Sequence, residues 1–145
     1  VDVVLFEGWC VSARAESEAS LSKPINKFEA ETDAEGDWRR YVNTCLESEY
    51  RNLFAMVDHT IMLRVPNFDC ILKWRMEQED KLRFECEALA DGAKHHFMSE
   101  AELKHFIAHF ERLTRWMLRD MPSFADVILD FNEDRSFKDL IIKNG

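Results

Sequence analysis

The hydrophobic positions of this chain change period several times, and the changes mark its elements. Residues 1–6 (VDVVLF) are a nearly continuous apolar run, too short for a helix and bounded by Glu7-Gly8. Such a run predicts a strand buried on both faces, as in a parallel sheet. Polar residues and Pro24 then dominate to about Gly36, predicting a long loop with room for one helical turn around Ile25–Ala30. From Asp37 to Val57, residues Trp38, Tyr41, Val42, Cys45, Leu46, Leu53, Phe54 and Val57 recur at helical spacing. One amphipathic helix is expected there, with Trp38 and Tyr41 on its core-facing stripe. Thr60–Val65 (TIMLRV) predicts a second strand, stopped by Pro66. Asn67 or Asp69 can cap a helix running to about Ala90 and ending near Gly92, with a strongly polar middle, Arg75–Lys81. Ser99-Glu100-Ala101-Glu102 reads as a capping box. The helix it opens carries Leu103, Phe106, Ile107, Phe110, Leu113 and Met117 on one stripe and stops before Pro122. Ala125–Phe131 predicts a third strand, Asn132–Asp134 a turn, and Phe137–Ile142 an edge strand. Strands separated by helical crossovers imply parallel pairing, hence an α/β layered fold with a short parallel sheet flanked by helices.

Composition narrows the picture. At 145 residues and 46% hydrophobic, the chain is expected to be a single domain with a core of its own. Its 28 acidic and 19 basic residues leave a net charge of −9, a field that repels phosphate backbones, so no nucleic-acid partner is expected. The apolar runs fall far short of the ~18 residues that span a bilayer, so no membrane is expected and a cytoplasmic location is. Cys10, Cys45, Cys70 and Cys86 are widely spaced, and with this much core they predict reduced, mostly buried thiols. His105 and His109 stand at i, i+4, with His95 and His96 nearby. Phe106 follows His105, so HEXXH is absent and no metal site is expected. Glu77 and Lys81 read as a surface ion pair. None of the four glycines precedes a lysine, so neither GxxxxGK[ST] nor GxGxxG can be built from this chain.

The candidate chemistry begins at Phe6-Glu7-Gly8-Trp9. An acid at the carboxyl end of a buried parallel strand faces the crevice where α/β folds bind ligands. Gly8 lets the backbone turn there without a Cβ clash. A carboxylate so placed can hold a Mg²⁺-bound water, accept a hydroxyl proton, or simply cap a loop amide. VDVVLFEGW resembles the acid-ended strand of phosphoribulokinase/uridine-kinase-type P-loop kinases. The likeness extends to their D-glycerate 3-kinase-like branch. Trp38-Arg39-Arg40-Tyr41-Val42-Asn43 resembles a helix start, and Trp74-Arg75 with Gln78-Glu79 and Lys81-Leu82 a lid segment of about residues 67–98. Phe110–Arg115 (FERLTR) resembles the closing helix, and Met121-Pro122 with Ala125-Asp126 the last turn and strand.

That resemblance implies a partial P-loop-kinase-like three-layer sandwich. Glu7 would be the Walker-B-like acid near Mg²⁺ and the substrate hydroxyl. Trp9, Trp38, Arg39, Tyr41 and Asn43 would border the acceptor. Arg75 and Gln78 would belong to the lid, with Arg112 and Arg115 as further cations for phosphate. In that family the Walker A loop precedes the acid-ended strand, and its strand lies between the first two strands expected here. The chain would then be the C-terminal portion of an ATP-dependent small-molecule kinase, inactive alone and acting on a hydroxyl, with a glycerate-like acid as one candidate. ATP and Mg²⁺ are expected only for the complete kinase, and no cofactor for this chain by itself. The expected partner is the missing N-terminal half or a homo-oligomer mate covering the open sheet edge. The competing expectation is a non-catalytic binding or subunit module that pairs through the same edge.

Overall fold

The computed structural model describes residues 2–89 and 97–143. The expected helix end at Ala90–Gly92 and the pair His95–His96 lie outside them. Two short helices come first, α1 (Glu18–Leu21) and α2 (Lys27–Thr32), followed by α3 (Asp37–Glu47) and α4 (Glu49–Phe54). Strand β1 (Ile61–Arg64) leads into the long α5 (Asp69–Leu89), then α6 (Glu100–Ala108), α7 (Glu111–Asp120) and a 3₁₀ turn at Met121–Ser123. Strands β2 (Val127–Phe131) and β3 (Phe137–Ile142) close the chain.

The sheet has the order β1-β2-β3. β1 and β2 run parallel, as their helical crossover requires, but β3 returns antiparallel through a tight turn, so the sheet is mixed. Arg64 and Asp130 lock the parallel pair with two hydrogen bonds, from Nε at 2.5 Å and Nη2 at 2.6 Å. The expected first strand is not one. Residues 2–6 have no regular secondary structure and join no ladder, and Val3, Val4 and Leu5 are more than 80% exposed. Strand propensity needs a hydrogen-bonded neighbour to be realised, and no described strand lies against this segment.

Two expected long helices are each broken in two. At Ser48 the backbone leaves helical angles (φ −114°, ψ −88°), and the Ser48 hydroxyl donates to the Thr44 carbonyl at 2.7 Å. Side-chain bonding of this type competes with the helical ladder. Between α6 and α7, the His109 ring N–H donates to the carbonyls of His105 (2.9 Å) and Phe106 (3.2 Å) in the same way. The capping box at Ser99 and Glu102 is present as expected. Asn67, and not Asp69, accepts the Cys70 N–H at the start of α5.

The core sits on one face of the sheet. Met62 and Ile128 pack with Met121 and Ala125, backed by Met117, Leu118 and Phe124. A second anchor joins the sheet to α5. Trp74 Nε1 donates to the Glu133 carbonyl (2.7 Å), and Arg135 reaches the Trp74 carbonyl and Glu77 (both 2.9 Å) from the β2–β3 turn. Of the four free thiols only Cys70 is buried, whereas mostly buried ones were expected.

Candidate functional site

Glu7 lies in the exposed segment before the turn at Gly8–Ser12, with no hydrogen bond or ion pair to any described residue. The turn folds tightly, since a Cβ on Gly8 would stand 3.1 Å from Val11 Cγ2. Trp9 is half exposed and sits edge-on to Phe110 (5.1 Å, 89°), tying the turn to the start of α7. Ser12, at φ 62°, touches Thr60 just before β1 (Oγ to Oγ1, 3.4 Å). These contacts fix the turn that follows Glu7, while Glu7 itself is exposed.

The α3 residues divide sharply. Arg39 is buried, donating to the Leu21 carbonyl (2.7 Å), the Asp33 carbonyl and the Asp33 carboxylate (3.2 Å). Asp33 also accepts the N–H groups of Trp38 and Arg39 and so caps α3, while Gly36 supplies the turn at φ +83°. Burial pushes the Asp33 carboxyl up, but those N–H groups and Arg39 together hold it below the ordinary range. Asn43 is buried too, and its amide brackets the Glu16 backbone (Glu16 N–H donating at 2.7 Å, Asn43 Nδ2 donating at 3.1 Å). Both side chains have their polar atoms committed to packing loop 13–36 against α3. Trp38 and Tyr41 are the reverse. The core position expected of them is corrected here, because both are more than half exposed and stacked on each other (5.4 Å, 27°). They form one wall of an open hollow of about 640 Å³, whose other lining includes Glu31, Asp33, Glu35 and Asp37. The hydrophobic stripe of α3 is real, but it faces outward at those two positions.

Arg112 is inside. Its guanidinium donates to Glu29 (2.8 and 2.7 Å), to the Lys23 carbonyl (2.7 Å) and to the Ser20 carbonyl (3.2 Å), with Glu16 at 3.5 Å. Burial pushes Glu16 up, and the charge of Arg112 only partly opposes it. Glu29 meets the same burial, but the bonds from Arg112 and the Ile25 N–H bring it below its usual value. Sequence reasoning missed Glu16 and Glu29. Glu16 lies in a polar loop and Glu29 on the short α2, and neither segment has an apolar period that marks such residues as buried.

The lid residues lie on α5. Arg75 bonds Gln78 and pairs with Glu79 (2.9 Å), and its buried Nε has no hydrogen-bond partner among the described residues. Glu79 is itself buried and accepts the Met98 N–H (3.4 Å). Arg115 is half exposed, bonded to Glu111 (2.7 Å) and lying over Phe68. Trp9 and Arg115 lie along α7, whereas Arg39, Asn43 and Arg112 are structural links. Among the described residues no group of three metal-ligating side chains occurs, and no helix is long and apolar enough to cross a membrane.

No protein-family model and no curated protein matches this sequence. Among solved structures, D-glycerate 3-kinase from Cryptococcus neoformans var. grubii serotype A superposes with a TM-score of 0.71 at 18% identity. The match covers 99% of this chain and 50% of that one, so the chain spans about half the length of its structural neighbour. The chain therefore has a kinase-like mixed α/β fold, a three-stranded sheet flanked by helices.

Proposed function

We propose that this chain is the C-terminal portion of an ATP-dependent small-molecule kinase that phosphorylates a hydroxyl, with a glycerate-like acid as the candidate acceptor. The observation that carries the reading is the superposition of nearly the whole chain on half of a D-glycerate 3-kinase. No phosphate cradle can be built here, since no glycine precedes a lysine. ATP and Mg²⁺ therefore do not fit this chain alone, and a complementary half or an oligomer mate would have to supply their seat. Bound there, the nucleotide would furnish the transferable phosphoryl group.

This chain's own contribution is the acceptor side. Glu7 presents a solvated carboxylate unencumbered by any described cation, able to take the proton of an acceptor hydroxyl. Arg75 carries a guanidinium on the lid-like helix that could meet developing negative charge once its bonds to Gln78 and Glu79 are exchanged. Trp9 offers an exposed aromatic wall for the acceptor, whereas the four carboxylates around the Trp38–Tyr41 pair disfavour an anionic acid there. Arg115 and Gln78 are accessible, while Arg39, Asn43 and Arg112 support the reading only as scaffold. Such an enzyme would work in the cytoplasm.

Calorimetry with ATP and Mg²⁺ tests the first half of the reading: the 145-residue chain is expected to show no tight binding, and tight binding would sink it. Joined to a phosphate-loop half, the protein is expected to transfer phosphate to glycerate. Glu7→Gln should then lower kcat by about 10²-fold or more with the fold unchanged.

A further inference from the structure

Trp38 and Tyr41 form an aromatic surface that no packing role among the described residues accounts for. Their rings stack at 5.4 Å and 27°, yet Trp38 is 67% exposed and Tyr41 59%. The buried side of α3 is the other one, carrying Arg39, Asn43 and Leu46. The acids of the adjoining hollow are unequally engaged. Asp33 caps α3 and pairs with Arg39, and Glu31 faces Lys27 at 3.5 Å. Glu35 and Asp37 are exposed, and among the described residues their carboxylates have no hydrogen bond or ion pair. Arg40 passes them by, bonding the Glu18 carboxylate (2.7 Å) and the Glu35 carbonyl (2.6 Å). The aromatic surface continues toward α4. The Tyr41 hydroxyl bonds Cys45, and that bond, with the charges of Cys45, Glu49 and Tyr50, pushes the hydroxyl up from its usual range. Tyr50 is itself 44% exposed and lies 5.7 Å from Phe54.

We propose that this surface binds an arginine in a basic segment of a partner protein, its guanidinium stacked on Trp38 and paired with Glu35 and Asp37. Charge selects the sign of the occupant. In a chain of net charge −9, two unpaired carboxylates beside an exposed indole attract a cation and repel an anion. An apolar partner would strip water from those carboxylates and give them no counter-charge. Geometry selects the kind of cation. Four acids line the hollow, yet among the described residues no three converge as a metal site requires, so a point charge would meet only part of the wall. A guanidinium is planar and weakly hydrated, and it stacks on an aromatic face while its edge donates to carboxylates. The openness of the site selects a peptide over a free small cation. Glu31, Thr32, Glu35 and Asp37 are all exposed, whereas small-ligand sites enclose most of their ligand. The surface running on to Tyr50, with Glu49 beside it, offers contacts to the residues that flank an arginine in a chain. Neither Glu7 nor Arg75 takes part, so the site stands apart from the kinase reading.

The test is fluorescence anisotropy of the 145-residue chain with two labelled peptides, GSRGRSG and its lysine counterpart GSKGKSG. The arginine peptide is expected to bind about threefold more tightly than the lysine peptide, or better. Trp38→Ala should weaken it by about fivefold or more, and Trp38→Phe, which keeps a ring against Tyr41, by less. Glu35→Gln with Asp37→Asn should also weaken it by about fivefold or more. Glu85→Gln with Glu87→Gln removes two exposed charges from α5 instead, and should leave binding within about twofold. Trp38 is exposed, so the far-UV spectra of its variants are expected to match the parent. Unlabelled GSRGRSG should compete about tenfold better than arginine amide. The proposal is overturned if the arginine peptide does not bind, if the two peptides bind equally, or if Trp38→Ala leaves binding unchanged. Equal losses in the two charge-removing pairs would overturn it as general attraction to an acidic surface. Arginine amide competing as well as the peptide would overturn it in favour of a small-molecule site. A homodimer in sedimentation that dissociates in Trp38→Ala would overturn it in favour of a second copy of the chain.

Discussion

Arg112 is the residue on which the N-terminal loops depend. Among the described residues it is the one cation bonded to Glu29, it stands beside Glu16, and it bridges to two carbonyls of the 13–36 region. Arg112→Met would leave two carboxylates in a site built for a cation, and unfolding measured in urea is expected to show a loss of about 3–5 kcal/mol. Acid should act on the same contacts. The folded-state values of Glu29, Asp33 and Asp130 are lowered, the last chiefly by its hydrogen bonds from Arg64. Each therefore contributes stability that is complete above its ordinary value, about 4, and lost as pH falls through the lower folded value. Glu16 has the opposite sign: its raised value makes its charge a cost above pH ~4 that protonation relieves. With Asp134, held low by its hydrogen bonds from Ser136, four against one predicts a net fall in the denaturation midpoint below pH ~4. A flat or rising midpoint down to pH 3 would contradict these assignments.

Except for the strand expected at residues 1–6, element existence was legible and element limits were not. The strands at 61–64 and 127–131, the long α5 and the Ser99 capping box all follow from apolar period and capping chemistry. The breaks at Ser48 and His109 do not, because a side chain bonding back to its own helix leaves the hydrophobic stripe intact. Trp38 and Tyr41 show the same limit: periodicity says that α3 has an apolar side, but not whether that side has anything to pack on. Of the candidate site, the turn at Glu7-Gly8 was readable from its acid and glycine, whereas the burial of Arg39 and Asn43 depends on loop residues 16–33 that have no period. At the start of α3, Gly36 has φ +83°, and an added Cβ would stand 2.7 Å from the Arg39 guanidinium. Gly36→Ala is expected to cost about 1–2 kcal/mol or more, read as a lowered Tm, through both the left-handed backbone and the displaced arginine.

At the scale of the whole molecule, core and open face should respond differently to substitution. Leu103, almost wholly buried, is expected to lose about 2–5 kcal/mol as Leu103→Ala. Leu63→Lys on the bare face of β1 should change the stability of the 145-residue chain by no more than about 0.5 kcal/mol while raising its solubility. Equal losses at both positions would mean that the outer face is already packed. The clamp between Trp74 and the β2–β3 turn has a mechanical consequence. With Trp74 held by Glu133 and Arg135, and Glu79 holding the Met98 N–H, the first three turns of α5 are bolted to the sheet at one end and to the approach to α6 at the other. The helix is thus a beam with two fixings and not a hinged flap. Any lid-like swing of this segment has to pivot beyond Glu79, and a shift of its first turns would carry the hairpin with it.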